Sequence, residues 1–356
     1  MQLRVSSARI LLSVLAMVGV AGTPSATPIR ADETTGTWTG QASIFGNYYY
    51  EKSTRVIAPQ GSVELESPKG VRLRTKYLVD SITSASIAAG TLEDRRFREV
   101  RHDVTVGSGK EFDLGERQID VDGNARVSRE PDYTSFSSWL TTALSLNNRQ
   151  TVLRTRVSVL HDEVRQVFRG GVGIRPTNSG GNTSQSFAEH FNSVGLGAAW
   201  EQVLNRNWFV QTGYDYTWLH GYLSNPYRTV SGGQRPENHP STRHRHNLWF
   251  RSAWYIPKSK SAIHLLNRTY FDSWSIKAVD PEVRFYQDVH RLLQLRLRYR
   301  FYIQGPSFFY NANPNGYTDA DVFVTADPKM SAFRSHLVGL NLKLSTAFFA
   351  KPSLIG

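Results

Sequence analysis

Arginines recur at every second position in two segments of the sequence. They are Arg72 and Arg74 in the first segment and Arg296, Arg298 and Arg300 in the second. Side chains two residues apart on a β-strand leave the same face, so each set predicts a row of positive charge. Inside a water-filled barrel, such a row favours the passage of anions. Alternatively, acids on neighbouring strands pair with these arginines in a salt-bridge ladder that fills the interior.

Three histidines are the strongest candidates for catalysis or metal binding: His161, followed by Asp162, and the pair His244 and His246. A His-x-His spacing places both rings on one face of a strand, which suits a divalent cation. Arg243 and Arg245 flank that pair, however, and repel cations. No serine–histidine spacing singles out a nucleophile. We therefore expect no catalytic residue, no metal site, no cofactor and no enzymatic activity.

The composition excludes several classes of protein. The chain has 356 residues, 42 Lys+Arg against 30 Asp+Glu, a formal net charge of +12 and no cysteine. Without cysteine, disulfide scaffolds, thiolate zinc sites and thiol nucleophiles are excluded. A mean hydropathy of -0.39 argues against a helical membrane protein. The basic residues alternate along segments instead of forming a patch, so we predict no binding of nucleic acid.

The first 31 residues resemble an export signal. Arg4 and Arg9 precede the apolar run Ile10–Ala21, and small residues and proline follow it. The run is too short to span a bilayer as a helix, for which about 20 residues are needed. We predict a secretory signal peptide and short linker over 1–31, cleaved after Ala21 or Ala31.

Most of the remaining chain alternates between apolar and polar residues. In 293–304, aliphatic and aromatic residues occupy the odd positions and arginine or glutamine most of the even ones. This period of two predicts a β-strand. Similar patterns predict about fourteen strands: 38–50, 54–66, 71–80, 97–106, 117–130, 135–146, 151–162, 193–203, 208–218, 247–255, 262–276, 281–289, 293–304 and 334–349. Apart from a possible turn near Pro328, no helix is predicted after the signal.

The connections favour a membrane barrel over a soluble one. Short turns alternate with long polar connections near 81–95, 163–187, 219–243 and 305–330, which is typical of outer-membrane barrels. The strands are about twice the usual 5–6 residues. We therefore predict an all-β fold: a transmembrane, antiparallel up-and-down β-barrel of about 14 strands over 32–349. The aromatic end of its last strand, Phe348-Phe349, resembles the signal read by barrel-insertion machinery, and 350–356 form a tail.

If the short turns are periplasmic, many polar and aromatic residues lie toward the outer rim. Their convergence predicts either a binding vestibule or gate, or a set of contacts that pin the long loops to the barrel wall. These rim residues are Asp80, Tyr133, Tyr222, Asn225, Tyr227, Arg243, His246, Asp272, Trp274, Gln304 and Lys329.

Several segments toward the ends of the long connections resemble a bacterial family known as domain of unknown function 3570. They are Tyr77–Ser86, Arg129–Ser135, Gly221–Arg228, Arg243–His246, Arg298–Gln304 and Ala326–Met330. The resemblance implies an exported outer-membrane-type protein of Gram-negative bacteria. It supplies no activity, ligand or catalytic residue.

Two functions remain open from the sequence. The first is a channel for small solutes, with anions favoured, across the outer membrane of a Gram-negative bacterium. The second is a structural, assembly or partner-binding barrel with a plugged lumen. Both have outer-membrane lipid and the barrel-insertion machinery as partners.

Overall fold

The computed structural model of the chain describes residues 38–50, 54–84, 97–166, 187–226, 228–290 and 292–344. The predicted signal peptide, the pair Phe348-Phe349, the tail 350–356 and the rim residue Tyr227 lie outside these ranges. Within them, no helix is long and apolar enough to cross a membrane.

Seventeen strands account for most of the described residues, and two 3-10 turns, Ser231–Gly233 and Pro328–Met330, add short helical segments. The strands are β1 (Thr39–Tyr50), β2 (Thr54–Glu66), β3 (Val71–Ser84), β4 (Phe97–Asp113), β5 (Gln118–Arg129), β6 (Tyr133–Leu146), β7 (Thr151–Gln166), β8 (Phe187–Asn205), β9 (Trp208–Gly221), β10 (Thr229–Val230), β11 (Arg235–Pro236), β12 (Thr242–Ile256), β13 (Ser261–Asp272), β14 (Lys277–Val279), β15 (Glu282–His290), β16 (Leu293–Gln304) and β17 (Phe333–Leu344).

One antiparallel sheet contains every strand except β10 and β11, which pair with each other. Except for β14 and β15, strands of this 15-stranded sheet that follow one another along the chain are neighbours. Both β14 and β15 lie between β13 and β16, so the sheet has 15 − 1 = 14 positions across. Within the described ranges, β1 and β17 each pair on one side only. Closure of the sheet into a barrel therefore stays a prediction.

The position between β13 and β16 is filled by two strands, β14 and β15, and not by one, because Pro281 interrupts the chain between them. Proline has no N–H to give to a sheet and breaks the ladder of hydrogen bonds. The chain still stays in place, since Asp280 N donates to Arg268 O at 2.9 Å and Phe301 N donates to Pro281 O at 3.0 Å. The sequence predicted one strand over 262–276, but β13 ends at Asp272. The carboxylate of Asp272 accepts hydrogen bonds from the backbone N–H of Trp274 and Ile276, both at 3.0 Å, and forms a turn there.

Tight turns join the strands at one end of the sheet, which we call the turn end. Gly70 and Gly115 adopt φ angles of 71° and 80°, where a side chain is disfavoured. At another turn Asn147 and Asn148 take φ angles of 50° and 54°, which asparagine tolerates better than most residues. The opposite end, which we call the rim, carries the longer connections 222–241 and 305–332 and the short turns 130–132 and 273–276.

The two faces of the sheet have opposite polarity, and the apolar one is the exposed one. On the apolar face, Leu140, Val159 and Leu248 are 47%, 49% and 50% exposed. On the charged face, Asp103 and Asp162 are only 3% and 2% exposed. A soluble protein buries its apolar face, so this arrangement is inverted relative to a soluble sheet.

At the rim, the connections 222–241 and 305–332 fold together with the turn 273–276 into a unit that we call the cap. Its small core contains Val230, Trp274, Phe309, Val324 and Thr325, all buried. Backbone hydrogen bonds join Asn238 and Val324 in both directions, at 3.1 and 2.9 Å. The cap is therefore a folded structure and not a pair of independent loops.

Candidate functional site

Ion pairs cover the charged face between β3 and β5. Arg72 pairs with Asp120 and Arg74 pairs with Asp122, although β4 lies between the two strands. The side chains of Arg72 and Asp120 are each 32% exposed. Partly exposed pairs contribute only about 0–1 kcal/mol each. Their main effect is therefore to neutralise the arginines.

Glycines on β4 make room for these bridges. A Cβ at Gly109 would lie 2.5 Å from Asp122 Oδ2 and 3.0 Å from an Arg72 guanidinium nitrogen. A Cβ at Gly107 would lie 2.1 Å from Asn124 Oδ1. The arginines of β3 thus reach across a strand that has no side chain at these points. The alternating pattern alone does not predict this role, although Gly107 and Gly109 stand two residues apart in an otherwise regular strand.

The second arginine row is neutralised at two of its three positions. Arg298 donates to Glu282 Oε2 at 2.7 Å, and Glu282 also pairs with Arg284. Arg300 binds Asp280, which lies 3.2 Å from Arg268 as well. Arg296 faces Tyr286 and Asn341 on the neighbouring strands, and among the described residues it has no acidic partner.

Two predicted rim residues belong to a polar group on β3 to β7. Arg101 donates to Asp80 Oδ2 at 2.8 Å, and its Nε lies 3.9 Å from Glu130 Oε1. Burial raises the pKa of Glu130, with Arg101 opposing the shift and the charges of Asp132 and Asp80 adding to it. On the neighbouring strands the hydroxyl of the second predicted rim residue, Tyr133, donates to the buried carboxylate of Asp162.

A second group of predicted rim residues anchors the cap. Arg243 Nε donates to Asp272 Oδ2 at 2.9 Å, and the guanidinium lies 4.1 Å from the centre of the Trp274 ring. The Trp274 indole N–H donates to Thr242 O at 3.0 Å. The carboxylate of Asp272 is fully buried and also accepts from Tyr270 Oη at 2.7 Å.

Gln304 holds the other side of the cap. Its side-chain amide donates to the carbonyls of Lys329 and Ser331 at 2.9 and 2.7 Å. Gln304 and Arg243 both lie on the charged face of their strands, so the cap is attached to that face. Lys329 takes part through its backbone. These contacts are of the kind that the loop-pinning interpretation of the rim predicts.

A buried acid, Glu237, joins the two halves of the cap. Its Oε1 accepts from Thr325 Oγ1 at 2.6 Å and from Ala326 N at 2.9 Å, and it lies 4.0 Å from Arg228 Nε. Arg228 also pairs with Asp327 at 2.6 Å. The sequence offered no periodic signal for this cluster, because its members come from two irregular connections.

The remaining rim residues are placed differently from one another. Tyr222 lies in the cap, where burial and the charges of Glu237 and Glu189 raise its pKa to about 12. Asn225 accepts a hydrogen bond on its carbonyl from Arg228 N at 3.2 Å. His246 departs from the predicted cluster, because it lies on the apolar face against Phe271, with ring centres 4.6 Å apart. Arg243 and Arg245 alternate with it and take the charged face.

A polar cleft of about 700 Å³ opens on the cap between residues 231–235 and 315–319. Arg235 lines it and donates to Thr318 O at 3.1 Å. Side chains of Gln234, Asn315 and Asp319 face it. None of the predicted rim residues lines this cleft, so the predicted vestibule does not coincide with it.

The fold and the inverted polarity together define an all-β protein built on one large antiparallel sheet, with its apolar face exposed. The chain belongs to the family described as Protein of unknown function (DUF3570), which matches residues 92–352. This confirms the family that the sequence resembled. No curated protein matches the sequence.

Solved structures support the fold. A variant of the ferric enterobactin receptor from Pseudomonas aeruginosa matches with a TM-score of 0.50 and 10% identity, over 86% of this chain and 51% of the receptor. Another variant of that receptor, in complex with enterobactin, matches with a TM-score of 0.50 and 8% identity over the same shares of the two chains. This chain therefore spans about half the length of these receptors, and at such low identity the likeness concerns the fold alone.

Proposed function

We propose that the protein is an outer-membrane β-barrel with its apolar face in lipid and its charged face around a lumen. The observation that carries this proposal is the inverted polarity of the sheet. Exposing a whole face of leucine, valine and phenylalanine to water is unfavourable by about 25 cal/mol per Å². A bilayer removes this cost, and strands satisfy their backbone polar groups within the sheet.

The spacing of aromatic and histidine residues fits the thickness of a bilayer. On the apolar face, ten residues separate His102 from Phe112, His190 from Trp200, His244 from Trp254, and Trp208 from Trp218. Ten residues span about 33 Å along a strand, or about 25 Å across a membrane at a tilt of about 40°. The apolar band of outer-membrane barrels has about this height, between two aromatic girdles.

Closure would join β1 to β17. An even number of positions lets an up-and-down antiparallel sheet close with these strands antiparallel. Their apolar-face residues are unusually exposed, with Ile44 at 89% and Val338 at 83%, against about half for residues inside the sheet. Pairing of the two edges would cover these residues and remove the exposed backbone groups of both strands.

The lumen of this barrel conducts small solutes and favours anions. Among the described residues of the charged face, Lys76, Arg296 and Lys343 have no acidic partner, whereas the other arginines of the two predicted rows are neutralised. Uncompensated positive groups along a path raise the local concentration of anions. Fourteen positions also enclose more space than an eight-stranded barrel, whose interior side chains fill.

One observation favours a second function, a barrel that does not transport. The cap is anchored to the charged face by Arg243 and Gln304, so it extends over the side that the lumen would occupy. Together with the ion pairs between β3 and β5, it would plug the interior. The barrel would then serve a structural or partner-binding role.

Cysteine cross-linking tests closure, because the natural chain has no cysteine. Ile44→Cys is combined in turn with a cysteine at each apolar-face position of β17, namely Arg334, His336, Val338, Leu340, Leu342 and Leu344. Neighbouring strands bring Cα atoms within the 4.4–6.8 Å that a disulfide needs. We expect oxidation to link one of these pairs and to leave Ile44→Cys with Leu196→Cys, on distant β8, unlinked. Failure of every β17 pair would argue against a barrel.

Planar-bilayer recording then separates the two functions. A steady anion-selective conductance from the cross-linked protein supports the channel. A cross-linked, inserted protein without conductance supports the plugged barrel instead.

A further inference from the structure

Five histidines on the apolar face share one hydrogen-bonding arrangement, in which Nδ1 faces a side-chain hydroxyl on the neighbouring strand. Nδ1 of His102, His244, His246 and His336 lies 2.7–2.9 Å from the hydroxyl of a tyrosine on the neighbouring strand. Nδ1 of His220 contacts Thr242 Oγ1 at 3.0 Å. His161 differs, because its Nδ1 donates to Asn192 Oδ1 at 2.8 Å. We call the five histidines with their hydroxyl partners the Tyr–His belt; its tyrosines are Tyr77, Tyr214, Tyr216 and Tyr299.

The belt lies near the rim. His102 is opposite Arg129, the last residue of β5, and His336 is the fourth residue of β17. His220 is the second-last residue of β9. Below the belt, on the same face, come aliphatic residues such as Val104 and Leu248. In a membrane, the belt therefore falls at the boundary between the hydrocarbon and the headgroups.

The arrangement leaves the same ring atom available in each histidine. The pairing uses Nδ1, so Nε2 is at the far side of the ring. When a tyrosine hydroxyl donates to Nδ1, the neutral ring carries its proton on Nε2 and presents a donor there. The rings of Tyr216 and His244, for example, have centres 6.1 Å apart. A histidine ring held by such a cross-strand neighbour loses little further conformational freedom when it binds a ligand.

The charges around the belt suit an anion. Arg129, opposite His102, and Arg334, two residues before His336, lie on the same face as the histidines. Among the described residues near the belt, Glu163 adds a negative charge on that face, and Arg165 pairs with it. An acceptor with several oxygens and a negative charge is the partner that such donors bind best.

We propose that the Tyr–His belt binds the phosphate groups of lipid headgroups through histidine Nε2, with Arg129 and Arg334 adding charge. This inference rests on the proposed membrane barrel. The belt would fix the depth of the barrel and select phosphate-bearing lipids around the rim. It differs from an ordinary aromatic girdle, which needs no anionic lipid.

The test compares lipids retained by the protein. The full chain is inserted into vesicles of equal amounts of dioleoylphosphatidic acid and dioleoylphosphatidylcholine, extracted in mild detergent and analysed by native mass spectrometry. The belt variant carries His102→Phe, His220→Phe, His244→Phe and His336→Phe. The control carries His264→Phe and His290→Phe, which lie on the charged face and beside the turn end. Protease protection in the vesicles reports insertion of every sample.

We expect the wild type and the control to retain phosphatidic acid preferentially. In the belt variant, the ratio of retained phosphatidic acid to phosphatidylcholine should fall about tenfold, which corresponds to the loss of one hydrogen bond to a charged group. Equal preference in the belt variant, or equal loss in the control, overturns the inference. Displacement of the lipid by inorganic phosphate overturns it too, because it indicates a site for a soluble anion.

If the belt variant fails to insert into the vesicles, a second set of variants tests the inference instead. Tyr77→Phe, Tyr216→Phe and Tyr299→Phe keep the rings and remove the hydroxyls that orient the histidines. We expect a smaller loss of preference, and an unchanged preference counts against the belt. If the wild type itself fails to insert, the membrane barrel is wrong, whereas insertion without lipid preference refutes the belt alone.

Discussion

Arg72 on β3 forms its ion pair with Asp120 on β5, and the intervening strand β4 has no side chain where the bridge crosses it, at Gly109. Long-range pairing on the charged face therefore depends on a glycine that belongs to neither partner. The same arrangement is repeated by Arg74 and Asp122 beside Gly107.

Replacement of Gly109 by valine should disturb both bridges. The valine Cβ would lie 2.5 Å from Asp122 Oδ2, in the Arg74 bridge, and 3.0 Å from an Arg72 guanidinium nitrogen, so both side chains must move. Overpacking of this kind costs about 1–3 kcal/mol. The urea midpoint of the protein refolded in lipid micelles measures the loss. Gly61→Val is the control, because nothing lies within 4 Å of a Cβ at Gly61; an equal loss in both variants would refute the explanation.

Removal of Arg296 should change ion selectivity more than removal of Arg300. Arg300 is neutralised by Asp280, whereas Arg296 has no acidic partner among the described residues. One full charge about 8 Å from an ion in water is worth about 0.5 kcal/mol, or about twofold in occupancy. Arg296→Gln should therefore lower the anion-to-cation permeability ratio by about twofold, measured from reversal potentials under a salt gradient. A larger effect of Arg300→Gln contradicts the assignment of free charge.

Arg243→Met should loosen the cap. The Arg243 and Asp272 side chains are 8% and 0% exposed, and loss of one partner of a buried pair costs about 3–5 kcal/mol. Asp272 keeps its donors from Tyr270, Trp274 and Ile276, so the loss of stability should be about 3 kcal/mol, at the low end of that range. Faster protease cleavage within 305–332 and a lower unfolding midpoint report it.

The matched control for Arg243 is Arg165→Met. Arg165 pairs with Glu163 in the open, with the two side chains 46% and 42% exposed. Exposed pairs contribute about 0–1 kcal/mol. Equal sensitivity of the two variants would show that Arg243 does not anchor the cap.

The strands could be predicted from the sequence because each shows its own period of two, as in Leu293–Gln304. The family could also be recognised from short segments such as Arg298–Gln304. The partners of the charged groups could not be predicted. The bridge from Arg72 to Asp120 skips a strand, and the choice depends on glycines at register positions that alternation does not reveal. The contact of Glu237 with Thr325 joins irregular connections 88 residues apart, for which no periodic signal exists.

Glu130 should make the stability of the rim depend on pH. It lies in the turn 130–132, outside the strands, and burial raises its pKa above the ordinary 4.5, with Asp132 and Asp80 adding to the shift and Arg101 opposing it. The folded protein therefore holds this proton more tightly than the unfolded chain does. The contribution of Glu130 to stability is greatest below pH 4.5 and falls as the pH rises through the folded pKa.

Glu130→Gln removes the loss of stability that the wild type shows as the pH rises, because an amide stays neutral at every pH. We expect the variant to be more stable than the wild type at pH 7 and to lose that advantage as the pH falls toward 4, measured as urea midpoints across this range. Thr134→Ala, a neighbouring change without an ionisable group, should run parallel to the wild type. A variant that is less stable than the wild type at pH 7 would mean that the attraction between Glu130 and Arg101 outweighs the cost of burying the charge.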